Sequence, residues 1–390
     1  MLFTITSKQS PRRIKRWSFG KLAATTALIV CSTLSAQATA ITDLNAALAA
    51  EFPGSNISLT PGVGERLPTS TELAQALAKA IETVGGENPA ELTKVAVLAN
   101  TAPASEASPL LVRSAINEVY DGGLDNLTDT SAHFKTTNTN AGLVLKAALD
   151  NSGWTSKSGT GGASAAAIAA IVAEAVCALD NAADTNPDLA SDASKVTKGI
   201  KKLITISITA ASNSFTSVVQ VNVPTDTTTY SKLAPKLDNA GESGNSSNDA
   251  LAPSYAAAAV VTGAVTQIQN PGNFADDSLI FAIVQKAVQK NPKRYLEIAI
   301  AAAQAAATVY GNAVTFDSFG GDDNIFKAVK SGLSKAGKLT SGKSKAAAQA
   351  VKWGLAQAAA GQFGSGAAGV ANYTWNNCVN GTPVTDIGGF

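Results

Sequence analysis

The sequence predicts a mainly α-helical protein made of repeated antiparallel helical hairpins, in an array or a bundle, with a small β element expected around 203–223. Three observations carry this expectation. First, apolar residues recur at helical spacing in segment after segment. Between Leu279 and Tyr310 the stripe Ile280, Ile283, Val284, Ala287 and Val288 is followed by a second, Leu296, Ala299, Ile300, Ala303 and Ala307. Second, an Asn-Pro step separates these stripes at Asn291-Pro292, and the same step stands at Asn88-Pro89 and Asn186-Pro187, each between helical patterns. Asn suits an N-cap, and Pro suits the first helical position, where a missing N–H is not needed. The steps lie 98 and 105 positions apart, which suggests a repeating unit, although a common cap used independently gives the same spacing. Third, the chain is rich in Ala and only 6% aromatic, so its helices would approach closely through small side chains.

In chain order, residues 1–40 read as an export signal. Lys8, Arg12, Arg13, Lys15, Arg16 and Lys21 precede an apolar run from Leu22 to Leu34, and Ala38-Thr39-Ala40 supplies a small-residue cleavage pattern. The run is too short to span a bilayer comfortably, so no transmembrane anchor is expected after signal removal. Residues 41–152 form an N-terminal helical region with the first Asn-Pro hairpin at about 72–100. Residues 153–224 hold a Gly- and Ser-rich linker candidate, the second hairpin, and then a change of period. Ile204, Ile206 and Ile208 alternate with Thr205, Ser207 and Thr209, and Val219, Val221 and Val223 alternate with polar residues. Such alternation of β-branched residues predicts strands at 203–209 and 217–223, against the competing view that the preceding helix continues. Residues 225–253 are polar and read as a loop or linker, 254–360 as a C-terminal helical region ending in a fourth helix pair, and 361–390 as a Gly-rich tail.

Composition narrows function. The whole chain carries 30 basic and 29 acidic residues, and residues 1–40 hold six of the basic and none of the acidic ones. The remainder is therefore 24 against 29, a net charge of −5, which argues against a general nucleic-acid binder. Beyond residue 40 there is no Met, one His (His133), two Cys (Cys177 and Cys378) and three Arg (Arg66, Arg113 and Arg294). Side chains commonly used for metal binding and nucleophilic catalysis are scarce, so neither an enzyme nor a cofactor is expected. Charge is also unevenly spread. Residues 324–385 carry Lys327, Lys330, Lys335, Lys338, Lys343, Lys345 and Lys352 with no Asp or Glu, giving +7, whereas residues 41–323 sum to −11. These seven lysines are candidate contacts for an anionic partner, either an envelope component or the acidic part of another copy; a solvated helix face also accounts for them.

Several motifs dissolve on inspection. Gly337 to Ser344 spells GxxxxGKS, the phosphate-loop pattern, but an amphipathic helix precedes it where that motif requires a buried strand. Gly364 to Gly369 spells GxGxxG without room for a βαβ unit. His133 has no His or Cys neighbour at metal spacing, and the acidic runs Asp180, Asp184, Asp188, Asp192 and Asp317, Asp322, Asp323 match no EF-hand loop. Asn56, Asn126, Asn245, Asn372 and Asn380 begin N-x-Ser/Thr patterns, several of which chance supplies in a chain of this composition. Cys177 and Cys378 form a candidate disulfide, with burial of Cys177 as a small hydrophobe the competing account.

The resulting expectation is a secreted, periplasmic or cell-surface structural or surface-interaction protein, self-assembling through an acidic body and a basic C-terminal helix pair. The alternative is an exported ligand-binding module with a groove between hairpins, and a hydrolase using paired carboxylates is the third reading.

Overall fold

The computed structural model describes residues 19–83, 88–99, 104–124, 130–151, 165–185, 193–212, 224–236, 257–265, 277–309 and 321–360. These are overwhelmingly helical and contain no strand. In order the helices are α1 (Phe19–Glu51), α2 (Ser70–Thr83), α3 (Pro89–Ala99), α4 (Ala104–Leu124), α5 (Thr130–Asn151), α6 (Ala165–Thr185), α7 (Ala193–Ser212), α8 (Asp277–Lys290), α9 (Tyr295–Val309), α10 (Gly321–Lys335) and α11 (Ser341–Ala359). Residues 257–265, between α7 and α8, are also helical. The mainly α class expected from the periodicity is what forms.

The way the helices pack makes the array explicit. Extensive contacts join helices that are next but one in the chain, α2 with α4, α4 with α6, α3 with α5, α5 with α7, α8 with α10, and α9 with α11, and the consecutive α4 and α5 also pack extensively. Counting helix 257–265 in its place, α7 and α8 are also next but one, and they too pack together. The chain therefore alternates between two layers. One holds α2, α4, α6 and, through Gly263 against Ala169, helix 257–265, with α9 and α11 paired further along the chain; the other runs through α3, α5, α7, α8 and α10. This is the logic of a helical solenoid, in which each unit buries its apolar stripe against its neighbours. Helix α1 lies against both α2 and α3, and its stripe Ala40, Leu44, Ala47 and Leu48 is buried there. A single contiguous apolar core runs from that stripe to Leu355.

Small residues permit the close approach within each layer. A Cβ on Gly263 would collide with the backbone carbonyl of Ala169 in α6, and one on Gly354 in α11 would come within 2.7 Å of the Ile300 carbonyl in α9. Gly332 in α10 meets the Gln285 carbonyl and the Val288 Cβ of α8, both at 2.7 Å. Glycine inside a helix costs about 1 kcal/mol relative to alanine, so close packing has to offset that penalty. Buried polar pairs add directional ties. The Tyr120 hydroxyl of α4 donates to Asn138 Oδ1 of α5 at 2.6 Å, and the Gln304 amide of α9 donates to Gln357 of α11 at 2.9 Å. Arg113 of α4 faces Glu174 of α6 at 3.5 Å, with both side chains almost wholly buried.

Three sequence expectations need correction. Residues 203–212 are the C-terminal half of α7 rather than a strand, and 213–223 lie outside the described residues. Ile200, Leu203, Ile204, Ser207 and Ile208 form one buried helical stripe, so Ile204 and Ile208 satisfy a four-residue period as well as a two-residue one. The intervening hydroxyls of Thr205, Ser207 and Thr209 donate back to the carbonyls of Lys201, Leu203 and Thr205 at 2.7, 2.8 and 2.8 Å, which lets these residues sit inside the helix. The Asn-Pro steps are not equivalent either. Asn88-Pro89 leads from the first layer to the second (α2 to α3), whereas Asn291-Pro292 leads from the second to the first (α8 to α9), and Asn186-Pro187 lies outside the described residues. The two described steps are repeated punctuation, not equivalent positions of a repeat. Nor does Asn291 cap through its side chain; a short 3-10 turn, Pro292–Arg294, leads into α9. Asn88 adopts φ 51° and its carbonyl accepts from the amides of Glu91 and Leu92.

The link from α1 to α2 is held by one carboxylate. Glu72 receives both guanidinium nitrogens of Arg66 at 2.6 and 2.8 Å, together with the Thr69 amide and hydroxyl at 2.8 and 2.9 Å. The Arg66 bond, followed by the Thr69 amide, lowers the Glu72 pKa to about 2. Because the folded-state value is depressed, this contribution is full above the ordinary carboxylate range and fades as pH falls toward about 2. In an NMR titration the Glu72 carboxyl should titrate near that value, and Arg66→Ala should return it toward the ordinary range. Two glycines test the packing argument by denaturant unfolding. Gly263→Ala should destabilise by about 1–3 kcal/mol, because a backbone carbonyl cannot yield. Gly142→Ala should be close to neutral, since it meets only the flexible end of Ile206.

Candidate functional site

The lysines singled out from sequence occupy α10, the turn after it, and α11. They do not all belong to one cluster. Lys327 pairs with Asp323 at 2.6 Å one helical turn away, and Lys330 sits over the Phe326 ring at 5.2 Å. Lys338 is exposed in the turn, and its carbonyl accepts from Lys343 Nζ at 3.1 Å. Lys345 and Lys352 are exposed on α11. Lys335, in the last turn of α10, reaches across to α8 and donates to Gln285 Oε1 at 3.0 Å, while Gln285 Nε2 donates to Ser331 at 2.7 Å.

That contact brings Lys335 into a cluster that crosses three helices of one layer. Burial lowers the pKa of Lys286 on α8, and the neighbouring charges of Lys290, Lys201 on α7 and Lys335 on α10 lower it further. Lys286 Nζ lies 3.5 Å from Gln289 Oε1, and no described carboxylate stands within salt-bridge distance of Lys201, Lys286, Lys290 or Lys335. Lys201, Lys286 and Lys290 were missed in the sequence because Lys201 lies in α7 and Lys286 and Lys290 in α8, away from the lysine run of α10 and α11. The available signal was the short basic runs Lys198-Gly-Ile-Lys201-Lys202 and Lys286-Ala-Val-Gln-Lys290, which become neighbours only when α7 packs on α8.

The N-terminal helices show the opposite balance. Arg66, Lys79, Lys94 and Lys146 are each paired with a local carboxylate. Lys79 has its pKa raised by the hydrogen bond and charge of Glu82, and further by Glu51 at the end of α1 and Glu118 of α4. One lysine thus shares a corner with three carboxylates.

Part of the segment expected as a polar loop is docked on α11. The Gln349 side chain accepts from the Lys232 and Leu233 amides at 2.8 and 3.0 Å and donates to the Thr229 carbonyl at 2.8 Å. Tyr230 meets Trp353 edge-on at 5.1 Å between ring centroids, and Leu233 is fully buried. Gln349 lies four residues after Lys345 and three before Lys352, so this strap occupies the helix face between those two lysines.

The phosphate-loop look-alike is a helix-to-helix turn. Gly337, at φ 65°, closes α10 with the Gly337 and Lys338 amides donating to the Ser334 and Leu333 carbonyls at 2.9 and 2.8 Å. The Thr340 side chain accepts from the Lys343 amide and caps α11. The second glycine motif lies outside the described residues, as do Asp188, Asp192 and Asp317. His133 falls within α5, and Asp180 and Asp184 within α6, with their side chains undescribed. No described set of three His, Cys, Asp or Glu side chains could hold a metal ion, and no described helix is long and apolar enough to cross a membrane. Cys177 is buried and disulfide-bonded; the side chains of Cys31 and Cys378 both lie outside the described residues, so its pairing with Cys378 stays a proposal.

Replacing Gln349 with Ala should free the strap. Amide exchange at Thr229 to Leu233 should accelerate at least tenfold, with a global stability loss of about 1–3 kcal/mol from the unsatisfied backbone groups. No protein-family model, curated protein or solved structure matches this chain.

Proposed function

We propose that this chain is an exported structural protein that engages surfaces, its own copies first among them, through opposed charge on a helical array. The observation that carries the reading is the cluster of Lys201, Lys286, Lys290 and Lys335, drawn from three helices and answered by no described carboxylate, in a chain whose N-terminal charges are locally paired. A two-layer array suits such a role, because it grows by stacking and offers long surfaces without needing a deep pocket. Export rests on the basic, apolar and small-residue order of residues 1–40, and a disulfide at Cys177 suits an oxidising compartment. A Cys177–Cys378 bridge would fasten the C-terminal tail to α6.

Light scattering coupled to size-exclusion chromatography on the exported chain tests this directly. Regular assemblies should form at about 20 mM salt and dissolve near 1 M, where the screening length falls to about 3 Å. Electron microscopy of the large fraction should show ordered objects, and a strict monomer at all salt concentrations and protein concentrations would remove self-assembly as the role.

A further inference from the structure

Two small-residue patterns overlap where the export signal meets the folded body. Ala36-Gln37-Ala38 and Ala38-Thr39-Ala40 both place alanines one and three residues before a scissile bond, so the sequence permits processing after Ala38 as well as after Ala40. Helix α1 runs through both sites without a break, and burial separates them. Ser35, Ala36, Ala38 and Thr39 are exposed and Gln37 is half-buried, whereas Ala40 is only 4% exposed and opens the buried stripe that continues with Leu44, Ala47 and Leu48. Ile41 is half-buried against the same core. A cut after Ala40 would strip the first residue of that stripe and put a charged α-amino group on a half-buried residue, where desolvation disfavours the charge. A cut after Ala38 keeps the whole stripe and leaves the new amino group on exposed Thr39. Two hydroxyls favour the same bond. Thr39 Oγ1 donates to the Ser35 carbonyl and Thr42 Oγ1 to the Ala38 carbonyl, both at 3.0 Å. Loss of residues 1–38 removes both acceptors and frees Thr39, a favoured N-cap residue, to accept from the Thr42 amide three positions on. Asp43 then closes the new first turn, where the helix dipole favours a carboxylate.

We propose that the Ala38–Thr39 peptide bond is the processing site of this chain, and that Thr39 becomes the N-cap of the helix that remains. This deepens the export reading and rests on it. A leader peptidase of the exporting membrane hydrolyses the bond: water supplies the oxygen that completes the Ala38 carboxylate, and its hydrogen completes the Thr39 amine. The body of the protein therefore begins one residue ahead of its first buried side chain, with the Ala40, Leu44, Ala47 and Leu48 stripe intact. The exposed run also keeps this bond reachable once the body has folded, whereas the Ala40–Ile41 bond follows a buried side chain.

The test is to express the full chain in an exporting bacterial host and read the product by N-terminal sequencing and intact mass. A chain recovered outside the cytoplasm should begin at Thr39. Ile41, or any other first residue on the exported chain, overturns the inference and leaves export standing. A full-length chain retained in the cytoplasm overturns the export reading and this inference with it. Ala36→Glu removes the small residue three positions before the proposed bond and should divert processing to the bond after Ala40, where Ala38 and Ala40 still fit the pattern. Continued processing ahead of Thr39 in that variant overturns the inference. The diverted product also tests the cap, because it lacks Thr39 and Ala40. Amide exchange at Ala47 and Leu48 should be about fivefold faster in the chain that begins at Ile41 than in the chain that begins at Thr39. Equal exchange in the two chains overturns the N-cap role of Thr39.

Discussion

The separation between next-but-one helices is the constraint on which the rest of the structure depends. Gly263 against Ala169, Gly332 against Gln285 and Val288, and Gly354 against Ile300 and Ala303 set helices so close that no Cβ fits between them. With few aromatic residues to fill wide gaps, the core of this chain is made of Ala, Val, Ile and Leu at short range. Dispersion contacts are individually small and fall steeply with distance, so an Ala-rich core holds together only if the backbones come near. Each layer is therefore a run of close contacts, and the alternation of the chain between layers follows from the need of every helix to cover a stripe on its neighbour.

Close packing of featureless alanine surfaces leaves register weakly specified, and buried polar pairs supply what alanine lacks. Tyr120 with Asn138, Gln304 with Gln357, and Gln285 with Ser331 and Lys335 each bond across a helix interface at one relative position only. Sliding either helix by a turn would bury these groups without partners, which is more costly than the loss of the bond itself. The Gln349 clamp extends the same device to the strap, fixing an irregular segment by satisfying three backbone groups with one side chain.

Charge is distributed along this array in a way that the fold does not demand. Local i,i+3 and i,i+4 pairs, such as Lys79 with Glu82, Lys94 with Glu91 and Lys327 with Asp323, are the ordinary dressing of solvated helices and contribute little to stability. The lysines gathered around Lys286 are different, because three helices are needed to assemble them and their crowding opposes folding. A surface of this kind gives orientation and encounter rate to an association more than raw affinity, which fits a chain that joins many similar units.

The sequence by itself determined the helical class and most of the helices, because a 3.6-residue apolar stripe leaves no other way to bury Leu73, Leu77 and Ile81 or Ile325, Val329 and Leu333. It also determined that Gly337 and Thr340 form a turn and a cap instead of a phosphate loop, since both roles are local. Tertiary structure decided the rest. The Ile204 to Thr209 segment reads equally as period two or period four, and only burial of Ile204 and Ile208 in α7 settles which. The Asn-Pro steps look like repeats, but equivalence depends on which layer each one enters, and that is a property of packing. The seven lysines of α10 and α11 were legible as a charged segment, whereas Lys201, Lys286 and Lys290 were not part of it. Electrostatic neighbours are set by distance in space, and residues 85 positions apart in sequence, as Lys201 and Lys286 are, meet only once α7 and α8 pack.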